Sequence, residues 1–418
     1  MYFRDSTARA DTTVFTEKKT SDRFAYLDVL RGGLLVVMAV NHVPSDLHAI
    51  TDHFLGYMSA AEGFVFLAGL MAGLVYTRML VRSGPKAVRR ASLKREGTIY
   101  AYHLGAYLFI FVWVAGCRFW ADFTPPAVPA QILNHPMIAL LAGPALIYQP
   151  SLFDVLPMYF CFVLLIPVLL GILERGYRKS LFAMSLAAWA LANILLPQSP
   201  YVTASINSGA FNIASWQLLF VTGVIFGHAW TRGLRLLPAV KPFVVMLAAL
   251  AACWLFLIRH AYVPSGIPGP VLSWLVNKNN LAPLRLLNVA ILFWLAHLLL
   301  HRHPNLLGWK PLEFLGRHSI FVFTVHIGIA YVIYTFPAEF AQDAGGRFAG
   351  TSLMLGGLFA AAGLHHFLHQ QPELARKRAK ASLDATRSAA ANRARELEGE
   401  TQRSAQESAA GSGLAVLG

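Results

Sequence analysis

Long apolar runs alternate with short polar connections along most of this chain. Each run extends over roughly 17 to 25 residues, the length that an α-helix needs to cross a bilayer. The pattern predicts an all-α bundle of ten transmembrane helices over residues 26–44, 58–77, 99–117, 151–173, 181–197, 210–230, 242–259, 282–300, 319–336 and 350–369. The predicted organisation is therefore a membrane domain over 26–369, preceded by a polar segment over 1–25 and followed by a polar, partly disordered tail over 370–418.

The composition agrees with a membrane protein. Hydrophobic residues make up 56% of the 418 positions, charged residues only 13%, and the mean hydropathy is +0.51. A soluble globular chain carries roughly twice this fraction of charged residues. The composition therefore excludes an ordinary soluble domain.

The distribution of basic residues predicts the orientation. With the N-terminus inside, the five internal segments carry 21 Lys and Arg residues, whereas the five external connections carry three. Cytoplasmic loops of membrane proteins are enriched in Lys and Arg in this way. Both termini are thus predicted to be cytoplasmic. The net charge of +14 mainly reflects this topology and does not call for a nucleic-acid partner.

The first apolar run contains two residues that are unusual in a membrane helix, Arg31 and His42. Eleven residues advance an α-helix about 20° past three full turns, so the two side chains share one face roughly 16 Å apart along the axis. Asp28 lies three residues before Arg31, where it can pair with the guanidinium. A packing ion pair with an interfacial histidine is one interpretation. A polar interior that serves function is the other, because charges at this depth need a wet or polar surrounding.

Several polar residues are predicted at the same outer depth as His42. Glu62 lies near the outer end of the second span and Asp154 near that of the fourth. The sixth span adds three more at its outer end: Asn212, Trp216 and Gln217. A histidine beside a carboxylate can act as a general base, because the carboxylate stabilises the imidazolium. Each acid taken alone is equally explained as an interfacial residue, and their shared depth favours a site.

The predicted inner loop 78–97 is rich in basic residues, with seven Lys and Arg and one Glu. Such a loop is common on the cytoplasmic side. Its density of charge also suits a polyphosphate ligand. His326, about seven residues into the ninth span, is predicted to lie level with Arg31, which suggests a polar passage between the inner loop and the outer cluster.

Two pairs of glycines and three cysteines are assigned to packing. Gly69 with Gly73, and Gly223 with Gly227, form G-x-x-x-G pairs that let helix backbones approach closely. The cysteines have no metal-ligand or disulfide spacing and are interpreted as small hydrophobic residues: Cys117, Cys161 and Cys253. No metal site is predicted.

Asp28, Arg31 and His42 form a D-x-x-R motif followed, after ten residues, by His. This motif resembles the signature of the acyltransferase-3 superfamily of integral-membrane acyltransferases. Five stretches narrow the resemblance to the OpgC (MdoC) family: FAYLDVLRGGLLVVMAVNHVP, AAEGFVFLAGLMAGLVY, SLFDVLPMY, FNIASWQLLFVTGVIFGH and FLGRHSIFVFTVH. The likeness extends over about residues 24–370. Ala68 departs from it, because the superfamily commonly has Ser at this place.

The resemblance implies a membrane-bound O-acyltransferase of the bacterial inner membrane. OpgC proteins are succinyltransferases of osmoregulated periplasmic glucans and take the acyl group from cytoplasmic succinyl-CoA. The implied partners are therefore acyl-CoA, the glucan acceptor, the lipid bilayer and, as a possible contact, the glucan-synthesis machinery. Acyl-CoA is the donor substrate, and no permanently bound cofactor is implied.

The resemblance and the residue pattern together predict a set of roles. The pantetheine arm is predicted to pass Arg31 and His326, and His42 to deprotonate a sugar hydroxyl, with Glu62 or Asp154 orienting its ring. The residues predicted to bind the CoA phosphates are Arg89, Arg90, Lys94 and Arg95. Those predicted to contact substrate are Asp28, Asn212, Trp216 and Gln217. An acyl-histidine intermediate is the alternative chemical path.

Two other functions fit parts of the pattern. One is an O-acetyltransferase for another extracytoplasmic polysaccharide or a lipid-linked sugar. The other is a glycan or anion transporter, with Arg31 and His42 as gating residues. Transport is the weaker alternative because the sequence offers no pair of interrupted helices in two matched halves.

Overall fold

In the computed structural model the described residues are 25–121, 135–195, 209–234, 236, 240–303, 306–370, 382, 386, 388 and 390. They form helices joined by turns and contain no strand. In chain order the helices are α1 Ala25–Val40, α2 His48–Thr51, α3 Ala60–Ala121, α4 Pro136–Ala142, α5 Val155–Glu174, α6 Arg178–Leu195, α7 Ile213–Thr231, α8 Pro242–Arg259, α9 Gly269–Leu275, α10 Pro283–Arg302, α11 Lys310–Arg317, α12 Ser319–Ile333, α13 Ala338–Gln342 and α14 Ala344–Gln370.

The positions of these helices follow the apolar runs of the sequence. Six are long and apolar enough to cross a membrane, and the bent pair α11 and α12 could supply a seventh span. Helix α8 occupies the predicted run 242–259. The all-helical fold is thus confirmed for the described residues, and the apolar helices indicate a membrane protein. The count of ten spans and the cytoplasmic termini remain predictions.

Helix α3 is 62 residues long and is interrupted at Gly84. A continuous helix of this length would extend about 93 Å, some three times the thickness of a hydrocarbon core. The backbone leaves helical geometry at Gly84, with φ 77° and ψ 177°, and Pro85 follows. Glycine tolerates this positive φ, and the proline ring suits the first turn of the helix that resumes. The predicted inner loop 78–97 is therefore helical on both sides of a single break.

The two G-x-x-x-G pairs bring α3 and α7 into backbone contact, which confirms their predicted packing role. A Cβ atom placed on Gly69 would lie 2.2 Å from the carbonyl oxygen of Phe220, and one on Gly223 would lie 2.4 Å from that of Phe66. Gly73 and Gly227 are equally tight against the opposite helix. Only glycine allows helices to come this close.

A second close contact joins α1 to α11. A Cβ atom on Gly32 would lie 1.9 Å from the carbonyl oxygen of Leu312, and one on Gly316 would lie 1.8 Å from that of Asp28. Directly after Arg317 the chain bends by 88° and continues as α12. The bend sets the starting depth of α12 beside α1, and this depth decides which of its residues reach the functional site.

The chain divides into two compact units, Met1–Ala362 and Gly363–Gly418. The helices around the candidate site belong to the first unit. The predicted N-terminal segment and polar tail lie largely outside the described residues, so the predictions for them stand as stated.

Candidate functional site

Arg31 lies on α1 and reaches across to the start of α12. Its guanidinium donates a hydrogen bond to the hydroxyl of Ser319. Asp28 pairs with it at 3.9 Å, as the spacing predicted, and the carboxylate is buried. The guanidinium carbon lies 5.9 Å from the ring centroid of Phe64, within range of a cation–π contact. These partners hold a cation in the interior of the bundle with 16% of its side chain exposed.

His42 follows the end of α1 and contacts His326 of α12. The Nδ1 atom of His42 lies 3.0 Å from the Nε2 atom of His326. The two rings are nearly parallel, with centroids 5.2 Å apart and an angle of 17° between their planes. His326 is fully buried. The structure therefore joins the two predicted histidines into one pair.

The hydrogen bonds of the pair indicate which nitrogens carry protons. The Nδ1 atom of His326 contacts the carbonyl oxygen of Phe323, which can only accept, so this nitrogen is the donor. In the neutral ring the Nε2 atom of His326 is then an acceptor and takes the Nδ1–H of His42. The Nε2 atom of His42 is left with a free lone pair. A neutral imidazole in this tautomer can accept a proton from a substrate hydroxyl.

The predicted depth of His326 was wrong. We expected it level with Arg31, because it lies seven residues into the ninth apolar run. In the structure Ser319 is the residue beside Arg31, and His326 lies two turns further along α12, beside His42. The 88° bend before α12 is the physical reason, because it starts that helix at the depth of Arg31.

The backbone around His42 is fixed by side chains from three directions. The hydroxyl of Tyr334 donates to the carbonyl oxygen of His42 at 2.8 Å. His48 contacts the carbonyl oxygen of Val40 at 3.0 Å, and the amide of Asn41 donates to the carbonyl oxygen of Thr51 at 3.2 Å. The imidazole is thus presented by a short, well-tethered segment rather than by a mobile loop.

The polar contacts of Glu62 within the described residues are with Arg285 and Ser59 rather than with His42, which we had predicted as its partner. Its carboxylate accepts from Arg285 at 2.6 Å and from the backbone N–H of Ser59 at 2.9 Å. Both Glu62 and Arg285 are buried. Through its side chain Glu62 thus caps the backbone N–H that precedes α3, and the hydroxyl of Ser59 donates to the same carboxylate. A local capping role and a long-range ion pair explain this acid.

Asp154 does not contact His42 within the described residues either. Its Oδ2 atom accepts the backbone N–H of Ala210 at 3.1 Å. Gly209, which precedes Ala210, has φ +109°, and a Cβ atom built on it would lie 2.8 Å from the Cβ atom of Asp154. Asp154 therefore anchors the segment that leads into α7.

The three polar residues predicted on the sixth span also have structural partners. Asn212 caps α7 by accepting the backbone N–H groups of Ala214 and Ser215. The indole N–H of Trp216, which is fully buried, donates to the carbonyl oxygens of Lys278 at 3.2 Å and Asn279 at 3.0 Å. Gln217 instead binds Ser185 of α6. The Ser185 hydroxyl donates to the amide oxygen of Gln217 at 2.7 Å, and the amide nitrogen of Gln217 donates to the Ser185 carbonyl oxygen at 2.8 Å. Asn212 and Trp216 thereby fix the segment that contains Lys278.

The predicted phosphate-binding residues lie on the helix that resumes after Gly84. All four are exposed, and none forms an ion pair with a described residue: Arg89, Arg90, Lys94 and Arg95. Arg95 also interacts electrostatically with Tyr159, which is buried on α5. Arg31 interacts electrostatically with the same tyrosine. The cations of the basic stretch and of α1 are thus linked through one buried phenol.

An open cavity of about 400 Å³ lies on the predicted outer side. Its polar lining includes His53, Tyr57, Arg259, Ser273 and Arg285. Burial, and next the neighbouring guanidinium of Arg259, lower the pKa of His53. The cavity offers an aromatic ring and hydrogen-bonding groups, which is the chemistry that a sugar needs.

Sequence reasoning missed four residues of this region, and two of them carried a signal. Arg285 lies inside an apolar run, as Arg31 does, and a membrane-embedded arginine indicates a buried partner. Lys278 is one of the three basic residues in the predicted outer connections. Ser319 and Tyr334 gave no such signal, because a hydroxyl at the end of an apolar run is ordinary. Within the described residues, no group of three or more His, Cys, Asp or Glu is arranged to hold a metal ion.

Comparison with known proteins identifies the family of this chain. The family model described as OpgC protein matches residues 23–370, which is most of the chain and includes every described residue of the site. Neither the curated proteins nor the solved structures contain a significant match.

Proposed function

This chain belongs to the OpgC family, and on that premise we propose that it transfers succinyl groups from cytoplasmic succinyl-CoA to hydroxyls of periplasmic osmoregulated glucans. Family membership indicates a transferase, and the apolar helices indicate a membrane protein. The acyl group, the glucan, the inner-membrane location and the wider acyltransferase-3 relationship belong to the proposal. The observation that supports it most is the His42–His326 pair, which leaves one ring nitrogen of His42 ready to accept a proton.

His42 acts in this mechanism as the general base. Its Nε2 atom takes the proton of a glucan hydroxyl while the hydroxyl oxygen attacks the thioester carbonyl carbon of succinyl-CoA. The tetrahedral intermediate collapses with cleavage of the carbon–sulfur bond. The departing thiolate takes the proton back from His42, so the products are a succinyl ester and free CoA thiol. Each proton and bond is accounted for without another reactant.

His326 acts as the positioning residue for this base. When His42 becomes an imidazolium, its Nδ1–H donates more strongly to the Nε2 atom of His326. The contact of His326 with the carbonyl oxygen of Phe323 keeps the acceptor nitrogen deprotonated. A neutral histidine thus takes the place that a carboxylate occupies in many catalytic pairs.

The donor approaches from the inner side in this proposal. The exposed cations of the basic stretch suit the phosphates of CoA. Tyr159 interacts electrostatically with both Arg95 and Arg31, which supports a polar route for the donor. In this proposal the thioester reaches His42 past Arg31, and the glucan approaches from the side of the outer cavity.

The proposal is tested in cells that lack the gene and carry either the wild type or His42→Ala. Periplasmic glucans are extracted and analysed by anion-exchange chromatography and mass spectrometry. We expect the wild type to add succinyl mass to neutral glucans and His42→Ala, present in the membrane at wild-type level, to add none. Identical glucans in all strains would overturn the acceptor, and surface polysaccharides would then be the place to look for the acyl group.

A further inference from the structure

Lys278 is a cation that the mechanism above does not use. It lies between α9 and α10, and its ammonium is 5.7 Å from the ring centroid of Phe211. The ammonium interacts electrostatically with His42 and with Asp154. Among the described residues, no carboxylate lies within ion-pair distance of it. In the part of the chain that the structure describes, this half-buried ammonium therefore has no carboxylate in an ion pair with it, although it interacts electrostatically with the proposed base.

Lys278 lies in a connecting segment whose backbone is held by several hydrogen bonds. The indole of Trp216 donates to its carbonyl oxygen and to that of Asn279. The backbone N–H of Asn212 donates to the carbonyl oxygen of Asn279 at 2.9 Å, and its side chain donates to Asn280 at 3.3 Å. These bonds fix the backbone from which the side chain extends, and its ammonium interacts electrostatically with His42. A fixed cation of this kind is suited to recognise an anion.

The anion that this position suits is part of the acyl group itself. A succinyl thioester carries a carboxylate at the end opposite the reacting carbonyl, and that carboxylate travels with the carbonyl to His42. Resting on the proposed function, we infer that the ammonium of Lys278 binds the distal carboxylate of the succinyl group and thereby selects a dicarboxylic acyl donor. The ring of Phe211 lies 5.7 Å from the ammonium, and Asp154 interacts with it electrostatically.

A competing role makes a different prediction. If Lys278 stabilised the oxyanion of the tetrahedral intermediate, it would assist every acyl donor equally. If it binds the distal carboxylate, it assists only donors that have one. The two roles are separated by comparing succinyl-CoA with butyryl-CoA, in which a methyl group replaces the carboxylate.

The test uses the purified full-length protein with neutral glucan as acceptor and measures kcat/KM for both donors. In Lys278→Met, which keeps an unbranched side chain over Phe211, we expect the value for succinyl-CoA to fall about 10- to 100-fold, the loss typical of one charge-assisted hydrogen bond. Transfer from butyryl-CoA should not fall. The control variant Lys278→Arg keeps the charge and should keep the preference for succinyl-CoA.

The outcomes separate this inference from the proposed function. A wild type that transfers succinyl groups, with a Lys278→Met variant that loses both donors in parallel or neither, overturns the role of Lys278 alone. A wild type that transfers neither acyl group overturns the proposed function. Both variants should elute from a size-exclusion column at the same volume as the wild type. This control shows that a lower kcat/KM does not result from loss of folding.

Discussion

The imidazole of His42 has one nitrogen bound to His326 and the other available for chemistry. The tautomer of His42 is set through two successive hydrogen bonds: His42 binds His326, and His326 binds the carbonyl oxygen of Phe323. A carbonyl oxygen can only accept, so His326 donates to it and in turn accepts from His42. The protonation state that a general base needs therefore follows from the helical backbone of α12.

Substitution of His326 tests this arrangement. His326→Leu removes the acceptor for the Nδ1–H of His42, and we expect kcat to fall about 100-fold or more with little change in the KM for succinyl-CoA. His326→Gln can still accept through its amide oxygen and should retain part of the activity. Equal activity of the two variants would contradict the positioning role. Succinyl transfer by purified protein is the measurement.

A second residue-scale expectation concerns the buried pair of Glu62 and Arg285. Glu62→Gln leaves the guanidinium of Arg285 buried without a counter-ion, which destabilises a protein by about 3–5 kcal/mol. The double variant with Arg285→Gln removes both charges and should be more stable than Glu62→Gln alone. Thermal unfolding in detergent measures both effects. If the double variant lost as much stability as the two single variants together, a direct ion pair between Glu62 and Arg285 would be contradicted.

At the scale of elements, the glycine contact between α3 and α7 sets how closely these helices pack. Gly223→Ala places a Cβ atom against the carbonyl oxygen of Phe66, a backbone atom that cannot rotate away. We expect a loss of about 1–3 kcal/mol in the free energy of unfolding. Gly171→Ala on α5 is the matched control, because a Cβ there meets nothing within 4 Å. If both variants unfolded at the same temperature, the close packing would be contradicted.

The sequence predicted the elements better than their relative depth. Apolar runs located the helices, and Arg31 and His42 were noticed because polar residues are rare in such runs. The position of His326 was misjudged because residue counting assumes an unbroken span, whereas α11 and α12 meet at 88°. Glu62 was assigned to His42 because both lie at the outer end of a span. Its actual partner, Arg285, is 223 positions away along the chain and could be paired with it only by the fold.

At the scale of the whole molecule, the proposed mechanism needs cations on the inner side to bind CoA and places the acyl transfer nearer the outer side, at His42. The exposed pair Arg89 and Arg90 tests the inner part. Replacing both with Gln should raise the KM for succinyl-CoA several-fold with little change in kcat, because phosphate contacts contribute to binding in both ground and transition states. The matched control replaces Arg175 and Lys179, two exposed cations on another predicted inner segment, with Gln. Equal effects of the two double variants would show only the influence of general surface charge.

If His42 is the base of an acyl transfer, its loss must slow the initial rate of that transfer. Purified wild type, His42→Ala and the control His303→Ala, which changes an exposed histidine, are compared with succinyl-CoA and neutral glucan. We predict that His42→Ala lowers kcat about 10²- to 10⁴-fold, the usual contribution of a general base, while His303→Ala equals the wild type. A His42→Ala protein that transfers succinyl groups at the wild-type rate would contradict the account.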